Sequence, residues 1–362
     1  DRLGVGYVQP VLSDIFSEMD GSISGRISLD GPLNRMVINS QGARLDNTTL
    51  KIAYTGVPYT ADGPFHIDET GVYFDDISIR DRYDGTGMVS GSINYDHFKD
   101  ITFDTHIKVQ RIEAVNLSES EADAFYGNLF GTGDVAITGP VNALTMDIRA
   151  ATEKEGSLHI PLSGSITSSK GTNLLKFKEL DKDVYIDPYD IFVQKTSSED
   201  ASQSDFTVRL NVNANQDVEA FVEIDKATGN VLSGRGNGEI SLEANEDIFN
   251  INGDYTLESG NYKFVAIGLV SRDFKIQQGS TIRFGGDIME SSLDIDAVYR
   301  TKASLSTLIS DTTSVANRRT VDCGISIKDK LSNPQLSFSI EIPDLDPTVK
   351  SRVESALSTG DK

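Results

Sequence analysis

The sequence predicts an all-β fold: one long β-sheet with a single apolar face, curled into a trough around an apolar groove, with short helices at its N-terminal and C-terminal ends. Three observations predict it. Apolar side chains recur at every second position through most of the 362 residues, turn-forming residues separate these runs, and helical spacing is confined to short segments. Because successive side chains of a strand point to opposite faces, this alternation collects the apolar groups on one side of the sheet.

The alternation is clearest between Tyr255 and Pro343. Apolar residues occupy every second position in the runs of this stretch, and polar residues such as Asp294, Asp296 and Ser337 stand between them. An apolar face left in water loses about 25 cal/mol of stabilising free energy for each Å² that stays exposed. Since the sequence has too few helices to cover this face, the sheet must either close on itself or curl into a trough.

A weak repeat upstream of this stretch places a small residue and a glycine before a strand. It occurs at Ser24-Gly25, Ser90-Gly91, Thr132-Gly133 and Asn237-Gly238. The glycines are 66, 42 and 105 residues apart (91−25, 133−91 and 238−133), so the repeat has no fixed period and does not predict a solenoid. Glycine relaxes steric constraints where a strand bends or bulges, and a curled sheet needs such positions repeatedly.

Helical patterns occur in three short places. Apolar residues three and four apart in Leu3–Met19 predict an amphipathic helix that starts near Pro10. The capping-box pattern Ser118-Glu119-Ser120-Glu121 predicts a short helix over Ala122–Tyr126. An N-cap aspartate followed by proline at Asp346-Pro347 predicts a terminal helix.

Two further segments interrupt the strands: Lys195–Ser204 is predicted to be a polar loop, and the Ser- and Thr-rich Lys302–Arg319 a mobile excursion. We therefore divide the chain into four parts. Residues 1–20 form a helical end segment, 21–232 a trough with irregular glycine hairpins, 233–345 a second stretch of trough, and 346–362 the terminal helix and tail.

Charge and composition exclude several classes of function. The chain has 33 Lys and Arg against 55 Asp and Glu, a net charge of −22, which repels phosphate backbones and anionic lipid head groups alike, so no nucleic-acid partner is predicted. Its single cysteine, Cys323, occupies an inward strand position and is interpreted as a small core residue. The sequence contains no run of 18 apolar residues, so a membrane anchor is expected outside this piece of the protein.

No pattern of catalytic or metal-binding residues is found. The four histidines lack the close spacing of a metal pair, and Gly234–Gly238 satisfies neither a Rossmann nor a P-loop spacing and leads into a strand. Carboxylates such as Asp294 and Asp296 alternate with apolar residues, which places them on the wet face rather than in a cleft. The sequence therefore predicts neither an enzyme, nor a cofactor, nor a metal site.

One ordered series of short motifs is similar to a known family. In chain order these are Gly253-Asp254-Tyr255, Ser259-Gly260-Asn261-Tyr262-Lys263-Phe264, Phe274-Lys275-Ile276, Gly279–Asp287, Leu293–Arg300, Asn333-Pro334 and Ile340–Asp344. This series covers about the last 110 residues and resembles the C-terminal domain of TamB proteins. Ile288 and Phe284 stand where the family often has proline and tryptophan, which indicates a divergent branch.

The resemblance implies a protein of the diderm bacterial envelope. Such a protein is anchored in the inner membrane by a segment outside this chain, crosses the periplasm and ends near the outer membrane. The sheet of the family is similar to a folded taco with a greasy groove. The resemblance further implies two activities, phospholipid movement between the membranes and outer-membrane protein assembly with a partner barrel of the Omp85 type.

Apolar residues of the last strands are the expected lining of a groove for phospholipid acyl chains. They are Phe264, Phe274, Ile276, Ile282, Phe284, Leu293, Ile295, Phe338 and Ile340. In an alternative interpretation these side chains pack against one another in a flattened, dry core.

A second functional hypothesis is an assembly scaffold that acts through its sheet edge. Its last strand would pair with an Omp85-type barrel partner by edge addition, through Leu336, Ser337, Phe338, Ser339 and Ile340. A third, an extracellular β-solenoid or adhesin, is disfavoured because the repeat is irregular and Ca²⁺-binding loop sequences are lacking.

Overall fold

The computed structural model describes residues 2–7, 16–31, 37–96, 99–121, 125–153, 156–161, 206–225, 228–245, 248–266, 270–304, 318–343 and 351. Most of them lie in strands, and the all-β prediction is confirmed. Within these ranges, helical structure longer than one residue is limited to two short 3-10 segments, Val5–Tyr7 and Ile288–Glu290.

The described residues form nineteen strands, which belong to one sheet. The first ten are β1 (Arg2–Gly4), β2 (Phe16–Asp30), β3 (Val37–Ile52), β4 (Pro58–Ile67), β5 (Gly71–Arg80), β6 (Thr86–Asp96), β7 (Lys99–Leu117), β8 (Tyr126–Pro140), β9 (Thr145–Thr152) and β10 (Gly156–Pro161). The remainder are β11 (Thr207–Ala214), β12 (Val218–Asp225), β13 (Asn230–Ala244), β14 (Phe249–Ala266), β15 (Val270–Ile276), β16 (Thr281–Gly286), β17 (Ser292–Ala303), β18 (Arg319–Lys330) and β19 (Gln335–Glu341).

The strand pairings form a ribbon that runs from β1 to β19. Each strand from β1 to β8 pairs antiparallel with the next, and β9 and β10 then pair with opposite ends of β8. β11 and β12 add parallel to β9 and β10, and β13 pairs antiparallel with both. β14 follows β13, β15 and β16 share β14, and β17, β18 and β19 complete the ribbon.

Interruptions in the middle of successive long strands fall at neighbouring positions, and we call the line that they form the crease. They are the register shifts between Val109 and Val115 in β7, the breaks between β9 and β10, β11 and β12, and β15 and β16, and the extra residue Glu258 in β14. The crease divides the long strands into two walls. The first wall contains β9, β11 and β16, and the second contains β10, β12 and β15.

The polar backbone groups at the crease find partners locally. The Asn215 N–H donates to Thr152 Oγ1 at 2.9 Å, and the Asn215 side-chain amide donates to the Thr152 carbonyl at 2.8 Å. Across the β15–β16 break, the Leu257 N–H donates to the Ser280 carbonyl at 2.8 Å and the Gly279 N–H donates to the Leu257 carbonyl at 2.9 Å. Because ladder hydrogen bonds lost at the breaks are replaced in this way, the strands bend here without burying unpaired groups.

Glycines of the predicted repeat lie where strands approach closely. Gly91 has φ 126°, and a Cβ built on it would lie 2.0 Å from the Asp104 carbonyl oxygen. A Cβ on Gly133 would lie 2.1 Å from the Arg149 carbonyl oxygen. A side chain at either position would push adjacent strands apart. Both glycines also stand beside register shifts, Gly91 opposite Phe74 and Gly133 opposite Val109, as expected for glycines at bulges.

The end of β7 reaches across to the β3–β4 turn. The Asn116 N–H donates to the Thr55 carbonyl at 2.7 Å. Beside it the Glu113 carboxylate is fully buried and accepts from the Arg82 guanidinium at 2.8 and 3.1 Å and from the Asn128 amide at 2.6 Å. A buried carboxylate needs such donors, so this cluster joins β7 and β8 to the β5–β6 turn.

Among the described residues, buried apolar side chains form a large core cluster in the C-terminal half and a smaller one near the N-terminus. The larger contains Leu232, Leu257, Tyr262, Phe274, Ile276, Leu293, Ile295, Ala297, Ile325 and Ile327. The smaller contains Ala61, Phe74 and Ile77. The larger cluster combines residues of both walls, so the apolar core continues across the crease.

The prediction of an N-terminal helix is wrong where the structure describes the segment. Phe16 and Met19 belong to β2 and pair with Ile52 and Leu50 of β3, and a short strand and a 3-10 segment occupy residues 2–7. Residues 8–15 lie outside the described residues. Strand pairing with β3 outweighs the local helical spacing, and three register shifts in β2 break its alternation.

The other predicted helices and loops are described only in part. The capping-box contact is present, since Glu121 Oε2 accepts from the Ser118 N–H at 2.8 Å, but residues 122–124 lie outside the described residues and Tyr126 begins β8. Three more predicted segments lie outside the described residues: the loop at 195–204, the part of the excursion at 305–317, and the terminal helix from Asp346. Of that helix only Ser351 is described, and it is helical. β17 extends to Ala303, so the 302–319 excursion begins later than expected.

Candidate functional site

One face of the sheet, which we call the inward face, carries the apolar side chains of β13 to β19. Register places Tyr262 opposite Phe274, and the Phe274 ring lies 5.9 Å from the Tyr299 ring. Ile325 lies between Ala297 of β17 and Phe338 of β19. Paired residues share a face, so these side chains form continuous apolar rows across the strands.

The extra residue in β14 preserves this face across the crease. Tyr255 and Leu257 occupy odd positions before Glu258, whereas Tyr262 and Phe264 occupy even positions after it. Without the bulge, one half of β14 would present its apolar residues to the opposite side, because a shift of one residue exchanges the faces of a strand. The bulge therefore keeps both walls apolar on the same side.

All nine residues predicted to line the groove lie on the inward face, with very different exposure. Ile295 has no exposed surface, and Phe274, Ile276 and Leu293 are also buried. Phe264, Ile282 and Phe284 are half-buried, whereas 63% of Phe338 is exposed and Ile340 is also exposed. In this part of the trough, side chains fill much of the interior themselves.

The C-terminal end of the sheet curls over the inward face. Four steps of the ribbon separate β14 from β19, about 19 Å in a flat sheet with strands about 4.8 Å apart. The ring centroids of Phe264 and Phe338 nevertheless lie 6.4 Å apart, so the sheet is strongly curved between these strands.

Cys323 packs against the larger core cluster, as its inward position predicts.

Burial also changes the acidity of phenols in this cluster. It raises the pKa of Tyr262, and it is the main cause of the raised pKa of Tyr255. Removal of water disfavours the phenolate form, as expected for phenols packed among apolar side chains.

A second apolar row crosses the middle of the sheet and is only half-buried. It runs through Val135, Ile148, Leu210, Leu242 and Ile251, each paired with the next in neighbouring strands. All five side chains have intermediate exposure. The row lies on the inward face of the first wall, and the site prediction omitted it, although the same alternation is present there.

The opposite, outward face is charged and carries ion pairs between neighbouring strands. Arg283 donates to Asp254 at 2.7 Å, and the Lys328 ammonium lies 3.1 Å from Asp294. As the sequence predicts, Asp294 and Asp296 are exposed on this face. The contrast with the inward face shows that the sheet is one-sided in β13 to β19.

A stronger outward ion pair joins β17 to β18. The Arg300 guanidinium donates to both carboxylate oxygens of Asp322, each at 2.7 Å. This hydrogen bonding lowers the pKa of Asp322 below its usual value.

The last strand, β19, is the edge of the sheet. It pairs with β18 from Gln335 to Glu341, and no pairing of its other side occurs among the described strands. All seven of its residues are exposed, including the apolar Leu336, Phe338 and Ile340. An exposed strand edge with an apolar face can add a further strand.

A comparison with protein-family models gives a match to the TamB C-terminal domain over residues 75–362. This match covers most of the chain. The chain belongs to the TamB family. The resemblance seen in the last 110 residues therefore extends upstream to β5, through the whole middle of the trough.

TamB proteins are envelope components that act in transport and assembly at the outer membrane with an outer-membrane partner, and they are not known as enzymes. A comparison with curated proteins found no match for this TamB chain. Its described residues contain no helix long and apolar enough to span a membrane. They also contain no cluster of three or more side chains suited to holding a metal ion.

Proposed function

We propose that this TamB chain carries phospholipid acyl chains along its inward face, between the inner and the outer membrane. The half-buried row of Val135, Ile148, Leu210, Leu242 and Ile251 is the observation that carries this proposal. Acyl chains are stabilised on such a surface because they remove apolar area from water at about 25 cal/mol for each Å². An inner-membrane anchor outside this chain would hold the trough across the periplasm.

The nine predicted groove residues take two roles in this proposal. The buried Ile295 and its neighbours hold the walls together, whereas the exposed Phe338 and Ile340 offer apolar surface at the C-terminal end. An acyl chain would therefore lie mainly on the half-buried row and reach the C-terminal side chains where they are still exposed.

A matched pair of variants tests the proposal. Leu210→Asp introduces a carboxylate into the half-buried row, and Asn211→Asp introduces the same group next to it on the outward face. Ionised carboxylates are strongly disfavoured next to acyl chains, so we expect Leu210→Asp to reduce phospholipid transfer between donor and acceptor vesicles at least tenfold. Asn211→Asp should transfer lipid like the wild type.

The readout needs a control for folding. Circular dichroism compares the strand content of both variants with that of the wild type, and the amount of phospholipid that remains bound after gentle purification compares their lipid binding. Unchanged transfer and retention by folded Leu210→Asp protein would contradict the proposal.

A second candidate function is an assembly scaffold that pairs with an Omp85-type barrel. The exposed edge of β19, including Ser337 and Ser339, supports it. A photo-crosslinker at Ser337 or Ser339 should capture the barrel protein in cells, whereas one at Asp254, on an internal strand, should not. Equal capture from both places, or none from β19, would argue against strand pairing.

A further inference from the structure

Three charged side chains interrupt the apolar inward face between β13 and β19 among the described residues: Arg272, Arg319 and Asp329. Asp329 stands alone near the C-terminal end of β18, and its carboxylate accepts from the Gln335 side chain at 2.9 Å. The two arginines stand together at the other end of the strands, at the rim of the second wall. This rim is where the apolar interior meets water.

Arg272 lies over aromatic surface. Register places it opposite Phe264 on the inward face, and its guanidinium carbon lies 5.5 Å from the centroid of the Tyr299 ring. One guanidinium nitrogen donates to the Ser271 carbonyl at 2.9 Å. The side chain is exposed, so its other donors are accessible to solvent.

Arg319 is the first residue of β18 and pairs with Ala303. It shares the inward face with the buried Val321, and its own side chain is half-buried. Extension of the β15–β17 register places Arg272 beside Thr301, which pairs with Val321. The two arginines therefore stand two strands apart, about 10 Å between strand axes, and one row apart along the strands.

Neither guanidinium has an ion-pair partner within 4.0 Å among the described carboxylates. Some other strand arginines, such as Arg283 and Arg300, have carboxylate partners on the outward face, whereas these two lie on the apolar inward face of a chain with a net charge of −22. Two unpaired guanidinium groups on an apolar face attract an anion, since such groups bind phosphate through two parallel hydrogen bonds.

We propose that Arg272 and Arg319 form a phosphate-binding site at the rim, which holds the phosphodiester of a phospholipid while its acyl chains lie on the inward face. This inference rests on the proposed lipid-carrying function and adds a preference for the head group. The rim suits the task because the phosphate stays wet there, whereas the low-dielectric aromatic surface of Phe264 and Tyr299 strengthens its attraction to the arginines.

The test compares phosphatidylglycerol with diacylglycerol of the same acyl chains, each bound by the purified chain and measured by native mass spectrometry. The wild type should prefer phosphatidylglycerol by about tenfold or more. The double variant Arg272→Gln/Arg319→Gln should lose this preference and still bind diacylglycerol, and Arg272→Lys/Arg319→Lys should restore part of it. Arg283→Gln/Arg300→Gln removes two outward charges and should leave the preference unchanged.

The possible results distinguish the lipid-carrying function from the phosphate-binding site of the two arginines. Diacylglycerol binding without any preference for phosphatidylglycerol, or a preference retained in the Gln variant, overturns the arginine site and leaves the lipid groove intact. If neither lipid binds, both the lipid groove and the arginine site are overturned. Inorganic phosphate that displaces phosphatidylglycerol at equal concentration would assign the arginines to free phosphate and overturn the lipid assignment.

Discussion

Ile295→Ala measures how far the C-terminal trough depends on its own packing. Ile295 has no exposed surface, pairs with Ile327 and belongs to the larger core cluster. The substitution removes three carbon atoms at about 0.8 kcal/mol each, roughly 2.4 kcal/mol, before the cavity left behind is counted. Core substitutions of this kind cost about 2–5 kcal/mol in total, so we expect about 3–4 kcal/mol.

The assay should detect a local loss of stability. In an elongated ribbon each strand contacts mainly its neighbours, so hydrogen exchange should accelerate in β14 to β18 and remain unchanged in β3 to β6. Ile340→Ala is the matched control, because 47% of Ile340 is exposed and its truncation should cost roughly 1 kcal/mol. Equal effects of the two substitutions, or a uniform effect along the ribbon, would refute a packed C-terminal interior.

Two further predictions concern the backbone and pH. Gly253 has φ 131° and a Cβ there would lie 2.0 Å from the Glu239 carbonyl oxygen, so Gly253→Ala should cost more than about 1 kcal/mol in urea denaturation. Gly285→Ala, with nothing within 4 Å of the added Cβ, should cost nothing measurable; similar losses would contradict this steric account. The lowered pKa of Asp322 stabilises the fold above the usual pKa of an unfolded aspartate, about 3.9, and this stabilisation is lost as pH falls through the folded pKa. Arg300→Gln should therefore lower the melting temperature near neutral pH, with the difference vanishing in acid, and a pH-independent difference would exclude this origin.

The apolar face could be predicted from sequence because alternation is a local property of each strand. Ile295 and Phe338 are each assigned to the inward face by their immediate neighbours, whatever the rest of the sheet does. Their burial could not be predicted in the same way. Ile295 is covered and Phe338 is exposed because of where the ribbon curls and where it ends, which depends on strands far apart in the sequence.

Bulges explain where local patterns failed. The spacing of three between Phe16 and Met19 imitates a helix, yet register shifts in β2 account for the lost alternation. Likewise, Glu258 reverses the parity of β14, and only its pairing with β13 reveals that both halves face inward. The two inward arginines were missed because the site prediction considered apolar positions only. Arg272 and Arg319 stand two residues before Phe274 and Val321, at the spacing of inward positions, but they are charged.

The crease determines how the two walls can move relative to each other under mechanical load. Ladder hydrogen bonds join neighbouring strands within each wall, whereas the crease crosses the strands at positions that are already bulged or broken, as at Glu258 and Asn215. Spreading the walls therefore requires backbone rotation at this hinge and loss of contacts between the walls, and no ladder pair has to break. Such a seam lets the cross-section widen while the length of the ribbon stays constant.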